Sequence, residues 1–169
     1  MLKVVTLGHP ILREDALSIK EITEEIINFA NEMIVTMDEM KGIGLAATQV
    51  NKGIRLFVTR APEDSVRVFF NPEIIRTSMN SVIIEEGCLS IPGVRADVER
   101  PAEISVQAFN HKHRPIKIEA DGMLARVIQH EMDHLNGVLF IDRINNEEKQ
   151  RVLSEYESLQ GQERTDRGQ

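Results

Sequence analysis

The stretch ITEEIINFANEMIVTMDEMKG, residues 22–42, sets Ile22, Ile26, Phe29, Met33, Met37 and Met40 three and four residues apart. That spacing makes one apolar stripe on a helix. Thr23 stands where an N-cap belongs and Gly42 where a helix stops. A methionine stripe at this spacing faces a core more often than a binding surface, so these side chains read as packing. The period then changes. IRLFVTR, VRVFF, SVIIEEG, ISVQAF and IKIEA are short runs rich in β-branched and aromatic residues, separated by Pro, Gly, Asn and Asp. They predict antiparallel strands. In IKIEA the apolar positions alternate with Lys117 and Glu119, the pattern of a half-solvated strand.

Helical spacing returns after Asp121-Gly122, where Leu124, Val127, Ile128 and Leu135 mark the buried face of a helix running to about Asn136, with Gly137 as its left-handed stop. A last helix, NEEKQRVLSEYESLQG, carries Val152, Tyr156 and Leu159. The final stretch QERTDRGQ has nothing to bury. One domain is expected over residues 1–160, with 161–169 a disordered tail.

Composition narrows the class. A chain of 169 residues, 41% hydrophobic and 28% charged, suits one soluble domain with a sizeable core. No apolar run approaches the roughly 18 residues that a membrane span needs. MLKVVTLGHPILRED does not read as an export signal, so a cytoplasmic location is expected. Cys88 is the one cysteine, which excludes an internal disulfide and leaves its thiol free. A net charge of -7 argues against direct nucleic-acid binding.

The chemistry concentrates in QHEMDHLNG, residues 129–137. On a helix His130 and His134 lie one above the other, the placement a single metal ion needs. Glu131 follows the first histidine by about 100° around the axis, beside the metal face, where a carboxylate can serve as a base. A catalytic site takes three protein ligands and leaves a position open, and the helix supplies two. Cys88 in EEGCLS offers a thiolate as the third; a small buried hydrophobe is the alternative reading. In GIGLAATQ, residues 42–49, two glycines permit a tight turn or close approach, and the amide of Gln49 can donate hydrogen bonds. Asp133 and Arg100 are either an ion pair bracing the helix or separate exposed charges.

GIGLAATQ, EGCLS and QHEMDHLNG, in this order, resemble the motifs of the bacterial peptide deformylases, and the likeness extends from GHPILR to GVLFIDRI. The resemblance implies an α+β fold, with antiparallel strands packed around a central metal-binding helix and with an N-terminal and a C-terminal helix. It implies metal ligation by Cys88, His130 and His134, Glu131 as the base, and oxyanion donors at Gln49 and the backbone N–H of Leu89. The implied substrate is the N-formyl-methionyl end of a nascent polypeptide. Ile43, Ile84, Met123, Val127 and the ring of His130 would line the methionine slot, Ile43 and Gly44 would pair with the peptide backbone, and Arg95 would stand at the rim. Ferrous iron is the implied working metal, although two imidazoles and a thiolate also accept Zn2+, Ni2+ or Co2+.

Two positions depart from the family's pattern. Arg126 stands where an aliphatic residue is common in relatives. Either its stem covers the slot while the guanidinium reaches water near the emerging peptide, or it is an exposed helix charge. The region of the basic C-terminal helix that docks some relatives on the ribosome instead holds Glu147, Glu148, Glu155 and Glu157 against Lys149 and Arg151, which puts ribosome association in doubt. Two rival readings stay open. An HExxH-type metalloprotease would take its third ligand at Glu155, whereas Phe140 fills the position where another protease class needs histidine. A metal-stapled binding module would need a fourth ligand to close its site.

Overall fold

The structure, a computed structural model, describes residues 1–166. In chain order it contains α1 (Glu24–Glu39), β1 (Gly44–Ala46), β2 (Leu56–Thr59), β3 (Arg67–Thr77), β4 (Ser81–Cys88), β5 (Ile91–Pro101), β6 (Ile104–Phe109), β7 (Pro115–Ala120), α2 (Gly122–Leu135) and α3 (Asn146–Asp166). Five strands form one sheet in the order β1-β2-β3-β6-β7, and β4 pairs with β5 in a separate hairpin. These pairings are antiparallel, so the class is α+β, as the residue pattern and the resemblance imply.

Helix α2 packs on the large sheet through one face. Its Ala125, Ile128, Met132 and Leu135 meet Phe57, Phe69, Ile104, Val106 and Ala108. In a second core Ala30, Met33 and Met37 of α1 meet Leu45, Leu56, Val58 and Phe70. Alternate residues of β2 thus enter different cores, and all four are buried, which is why the strand reads as a continuous apolar run. Met33 and Met37 are fully buried, each worth about 1.5–3 kcal/mol relative to exposure. In a third core Ile91, Val94, Ala96 and Val98 of β5 pack with Phe140 and with Val152 and Tyr156 of α3.

Several boundaries differ from the sequence expectation, each for a local reason. Helix α1 ends with Lys41 at φ 56, and the Gly42 N–H closes onto the Met37 carbonyl at 2.9 Å, so the left-handed residue is Lys41. Gly42 serves a different need: a Cβ there would lie 2.8 Å from the Leu89 side chain. Strand β3 runs through Asn71-Pro72, which looked like its end, because a register shift absorbs the pair. The Asn71 amide accepts from Ile19 N–H and donates to Ile19 O, both at 2.8 Å, and so clips the N-terminal segment to the sheet. Strands β1 and β5 were not expected. Helix α3 continues to Asp166, through the first part of the expected tail; the remainder, residues 167–169, lies outside the described residues.

Candidate metal centre

Helix α2 presents two different faces. Opposite its apolar contacts, Arg126, Glu131, Asp133 and His134 are buried and the His130 side chain is 11% exposed. His130 and His134 stand one turn apart with ring centroids separated by 5.0 Å. The hairpin brings Cys88 to them. Its register is regular down to Gly87–Arg95 and then slips, so Cys88 pairs with Ile91 as the chain turns. There the Cys88 Sγ lies 3.3 Å from His134 Nε2, and one ligand atom from each of Cys88, His130 and His134 falls within 4.8 Å of the others. A tetrahedral ion with metal–sulfur and metal–nitrogen bonds near 2.3 and 2.0 Å separates such atoms by roughly 3.5 Å, so the three donors fit one ion.

A layer of charge holds these three donors in place. His130 Nδ1 bonds Glu86 Oε1 at 2.7 Å, which leaves Nε2 for a metal. Burial pushes the Glu86 carboxyl up, but hydrogen bonds from His130 and Arg100 outweigh it and hold the group well below the usual carboxylate range. Arg100 is buried and spans Glu86 and Asp133, at 2.6 Å to Glu86 Oε2 and 2.8 Å to Asp133 Oδ2. Of the two readings of Arg100 and Asp133, the ion pair is the one present, and both groups are buried where exposed charge was the more ordinary expectation. Arg143 adds a second bond to Asp133, at 2.7 Å. Burial and the nearby positive charge of His130 and Arg100 push His134 well below the ordinary imidazole value, and a neutral ring is what a metal ligand requires.

Glu131 is buried among these groups, and its Oε2 has no hydrogen-bond partner. Burial, the dominant cause, raises its carboxyl to about 7, where a group can take and return a proton near neutral pH. His134 Nδ1 is likewise unpartnered. Gln49 is oriented unambiguously: the Ala46 N–H can only donate, and it reaches Gln49 Oε1 at 2.9 Å. The amide nitrogen then points at Cys88 Sγ, 3.5 Å away, and at Ser90 Oγ, 3.1 Å away.

A cavity of about 650 Å³ opens over this cluster. Of the expected substrate-binding residues, Ile43, Gly44, Arg95, Met123, Arg126 and Val127 line it, together with Gln49, Cys88, Leu89, His130 and Glu131. Ile84 is not among the lining residues; it lies farther up β4, opposite Val98, and Glu86 and Gly87 take the wall instead. The expected solvated guanidinium of Arg126 is also corrected. Arg126 is only 3% exposed, and its head turns away from water to bond Glu86 Oε2 at 2.7 Å, Val98 O at 2.7 Å and Val82 O at 2.8 Å. Sequence reasoning missed Glu86 and Ser90. The signal for Glu86 was its place two residues before Cys88, on the same face of a strand.

Neither rival gains support. Glu155 sits half-exposed on α3, bonded to Arg151 at 3.1 Å, and Phe140 stacks near His130 as part of the hydrophobic packing. The donor set found among the described residues has three members, the number that leaves a position open for chemistry.

A buried Glu beside a three-donor Cys-His-His cluster, at the bottom of a largely apolar cavity in an α+β scaffold, defines a metal-dependent hydrolase. The polypeptide deformylase family model matches residues 1–150, and the chain belongs to that family. A peptide deformylase of Brucella suis biovar 1 (strain 1330) is 39% identical over 163 residues, covering 94% of this chain and 93% of its relative. One from Picosynechococcus sp. is 47% identical over 145 residues, 83% of this chain and 78% of the other. The crystal structure of a peptide deformylase from Synechococcus elongatus in complex with actinonin superposes with a TM-score of 0.87 at 42% identity, covering 95% of this chain and 88% of that one.

Proposed function

We propose that Cys88, His130 and His134 hold one divalent ion, ferrous iron in the cell, and that Glu131 is the general base and acid of a deformylation reaction. The chain removes the formyl group from the N-terminal formylmethionine of new polypeptides, releasing formate. The observation that carries this reading is the unpartnered, buried Glu131 Oε2 beside the three-donor cluster.

A divalent ion at this donor set supplies the acidity that makes water a nucleophile at neutral pH. Glu131 takes the water's proton as it attacks the formyl carbon and passes that proton to the departing amine, a double duty that a carboxyl near 7 suits. The amide N–H of Gln49 and the backbone N–H of Leu89 stabilise the oxyanion, each donor worth about 3 kcal/mol. The methionine side chain fits between Ile43, Met123, Val127 and the His130 ring. Strand β1 ends the large sheet, so its outer edge can pair with an extended peptide at Ile43 and Gly44 and accept many sequences.

Residues 1–160 act as one catalytic unit, because the site draws on β1, β4 and α2 together. Glu147, Glu148, Glu155 and Glu157 on α3 disfavour docking of that helix on RNA, so substrate is met by encounter. No helix among the described residues is long and apolar enough to cross a membrane, and we place the activity in the cytoplasm, where nascent chains are made.

The test is formate release from a formyl-Met peptide by protein prepared without oxygen. Activity should vanish on chelation and return with Fe2+, and return less fully with Zn2+. Full activity of the metal-free protein would overturn the mechanism; stronger restoration by Zn2+ would overturn only the choice of iron.

A further inference from the structure

The metal centre is assembled from two elements that share no backbone hydrogen bond among the described residues: the β4–β5 hairpin with Cys88, and α2 with both histidines. Side chains join them, and Arg126 makes the most widely spread of these links. Its Nη1 donates to Glu86 Oε2 and to Val98 O, and its Nη2 to Val82 O. Val82 belongs to β4 and Val98 to β5, so one guanidinium on α2 grips both strands. It also touches the carboxylate that orients His130.

We propose that Arg126 is a positioning residue for the metal centre, which clamps the hairpin to α2 and thereby sets how firmly Cys88 and the two histidines retain their ion. The inference rests on the metal-binding reading above. Arginine is required by geometry. Three acceptors on two strands and one side chain need a planar fork of donors, which lysine's single ammonium cannot reproduce. The Val98 carbonyl is a buried acceptor, which seeks a partner when it loses one. Glu86 keeps Arg100 and His130 when Arg126 is removed, so its charge and the fold survive. What changes is the freedom of the hairpin to drift from the helix, and Cys88 sits at the end of that hairpin.

The experiment uses protein loaded with Co2+, whose thiolate–cobalt absorption reports the intact site. Excess chelator is added and the decay timed, and the melting temperature of the metal-free protein is measured alongside. Arg126→Met should release Co2+ at least about tenfold faster than the parent, the scale on which partners of metal ligands act. Arg126→Lys should fall between the two. Release at the parent rate in Arg126→Met overturns the proposal even if the melting temperature drops, because that pattern belongs to a residue that only supports the fold. If Arg126→Met does not fold, Arg126→Lys decides: faster release supports the clamp, and parental release overturns it. A parent protein that retains no Co2+ would instead overturn the metal-centre reading itself.

Discussion

A β-carbon on Gly44 would overlap the carboxylate of Glu131 and come within 2.8 Å of Val127 Cγ1. Strand β1 therefore approaches α2 as closely as only glycine allows. Gly44→Ala must displace either the strand or the Glu131 side chain. We expect kcat/KM to fall about tenfold or more while the bound metal stays near one equivalent, because the atoms nearest the added methyl belong to Glu131 and Val127 and not to the three donors. Metal analysis paired with steady-state kinetics checks this; unchanged kinetics would show that the strand moves without consequence.

Glu131 offers the sharper separation of base from ligand. Glu131→Gln keeps the shape and removes the ability to accept a proton, so metal content should persist while kcat drops by at least about a hundredfold. The same variant loses a buried carboxyl whose Oε2 has no partner, so its melting temperature should hold or rise. Near-normal kcat would remove Glu131 from the mechanism.

Cys88 and Glu155 distinguish the metal centre from that of a protease with a distant glutamate ligand. Cys88→Ala should lose both metal and deformylation, since its Sγ lies 3.3 Å from His134 Nε2. Glu155→Ala removes one exposed ion pair with Arg151 and should change neither. Metal retained in the first variant, or lost in the second, would reverse the ligand assignment.

The parts that were legible in the sequence are those dictated by short-range periodicity. Met33 and Met37 reached the core from a stripe at helical spacing, and His130, Glu131 and His134 took their mutual placement from the helix alone. What the sequence concealed arises where one element meets another. Strand β5 buries Val94, Ala96, Val98 and Arg100 on one face in clean alternation. The signal was muted because one of those inward residues is an arginine and another an alanine, and Pro92-Gly93 interrupts its start. Arg126 was misread for a related reason. A charged residue at a helical position is ordinarily solvated, and only the Glu86 carboxylate and the carbonyls of Val82 and Val98 on two strands make its burial favourable. Those carbonyls are 28 and 44 residues away in sequence, beyond the reach of local pattern.

Asp142 supplies a pH dependence of stability. Burial raises its carboxyl, but hydrogen bonds from Arg13, Leu139 N–H and Lys149 lower it from 3.8 to about 2. A folded-state value below the unfolded one means that the stabilisation is complete above the unfolded value and is lost as pH falls through the folded one. Asp142→Asn should therefore cost about 1–2 kcal/mol at neutral pH, a figure reduced from the full shift because the side chain is partly exposed. The gap between parent and variant should stay level down to roughly pH 5 and close between about pH 4 and 2. Denaturant midpoints across that range measure it; a gap that widens towards acid would contradict the sign.

Charge selectivity beyond the methionine is expected at Arg95 and not at Arg126. The Arg126 guanidinium is buried and turned toward Glu86 and two carbonyls of the hairpin, so it does not reach toward an emerging peptide. Arg95 lines the cavity with its side chain 61% exposed, and its ion pair with Glu85, at 2.8 Å, is equally open to water. An acidic peptide residue shortly after methionine can compete with Glu85 for that guanidinium at little cost, since an exposed pair is weak. A formyl-Met-Ala-Asp peptide should thus be favoured over formyl-Met-Ala-Lys by about two- to fivefold in kcat/KM. The ratio should shrink as salt brings the screening length below about 8 Å. Arg95→Ala should bring it close to one, whereas Arg126→Met should leave it where it was. The opposite pattern, a ratio that collapses only in Arg126→Met, would mean that the buried guanidinium swings out to meet substrate and that the contacts to Val82 and Val98 do not persist in the complex.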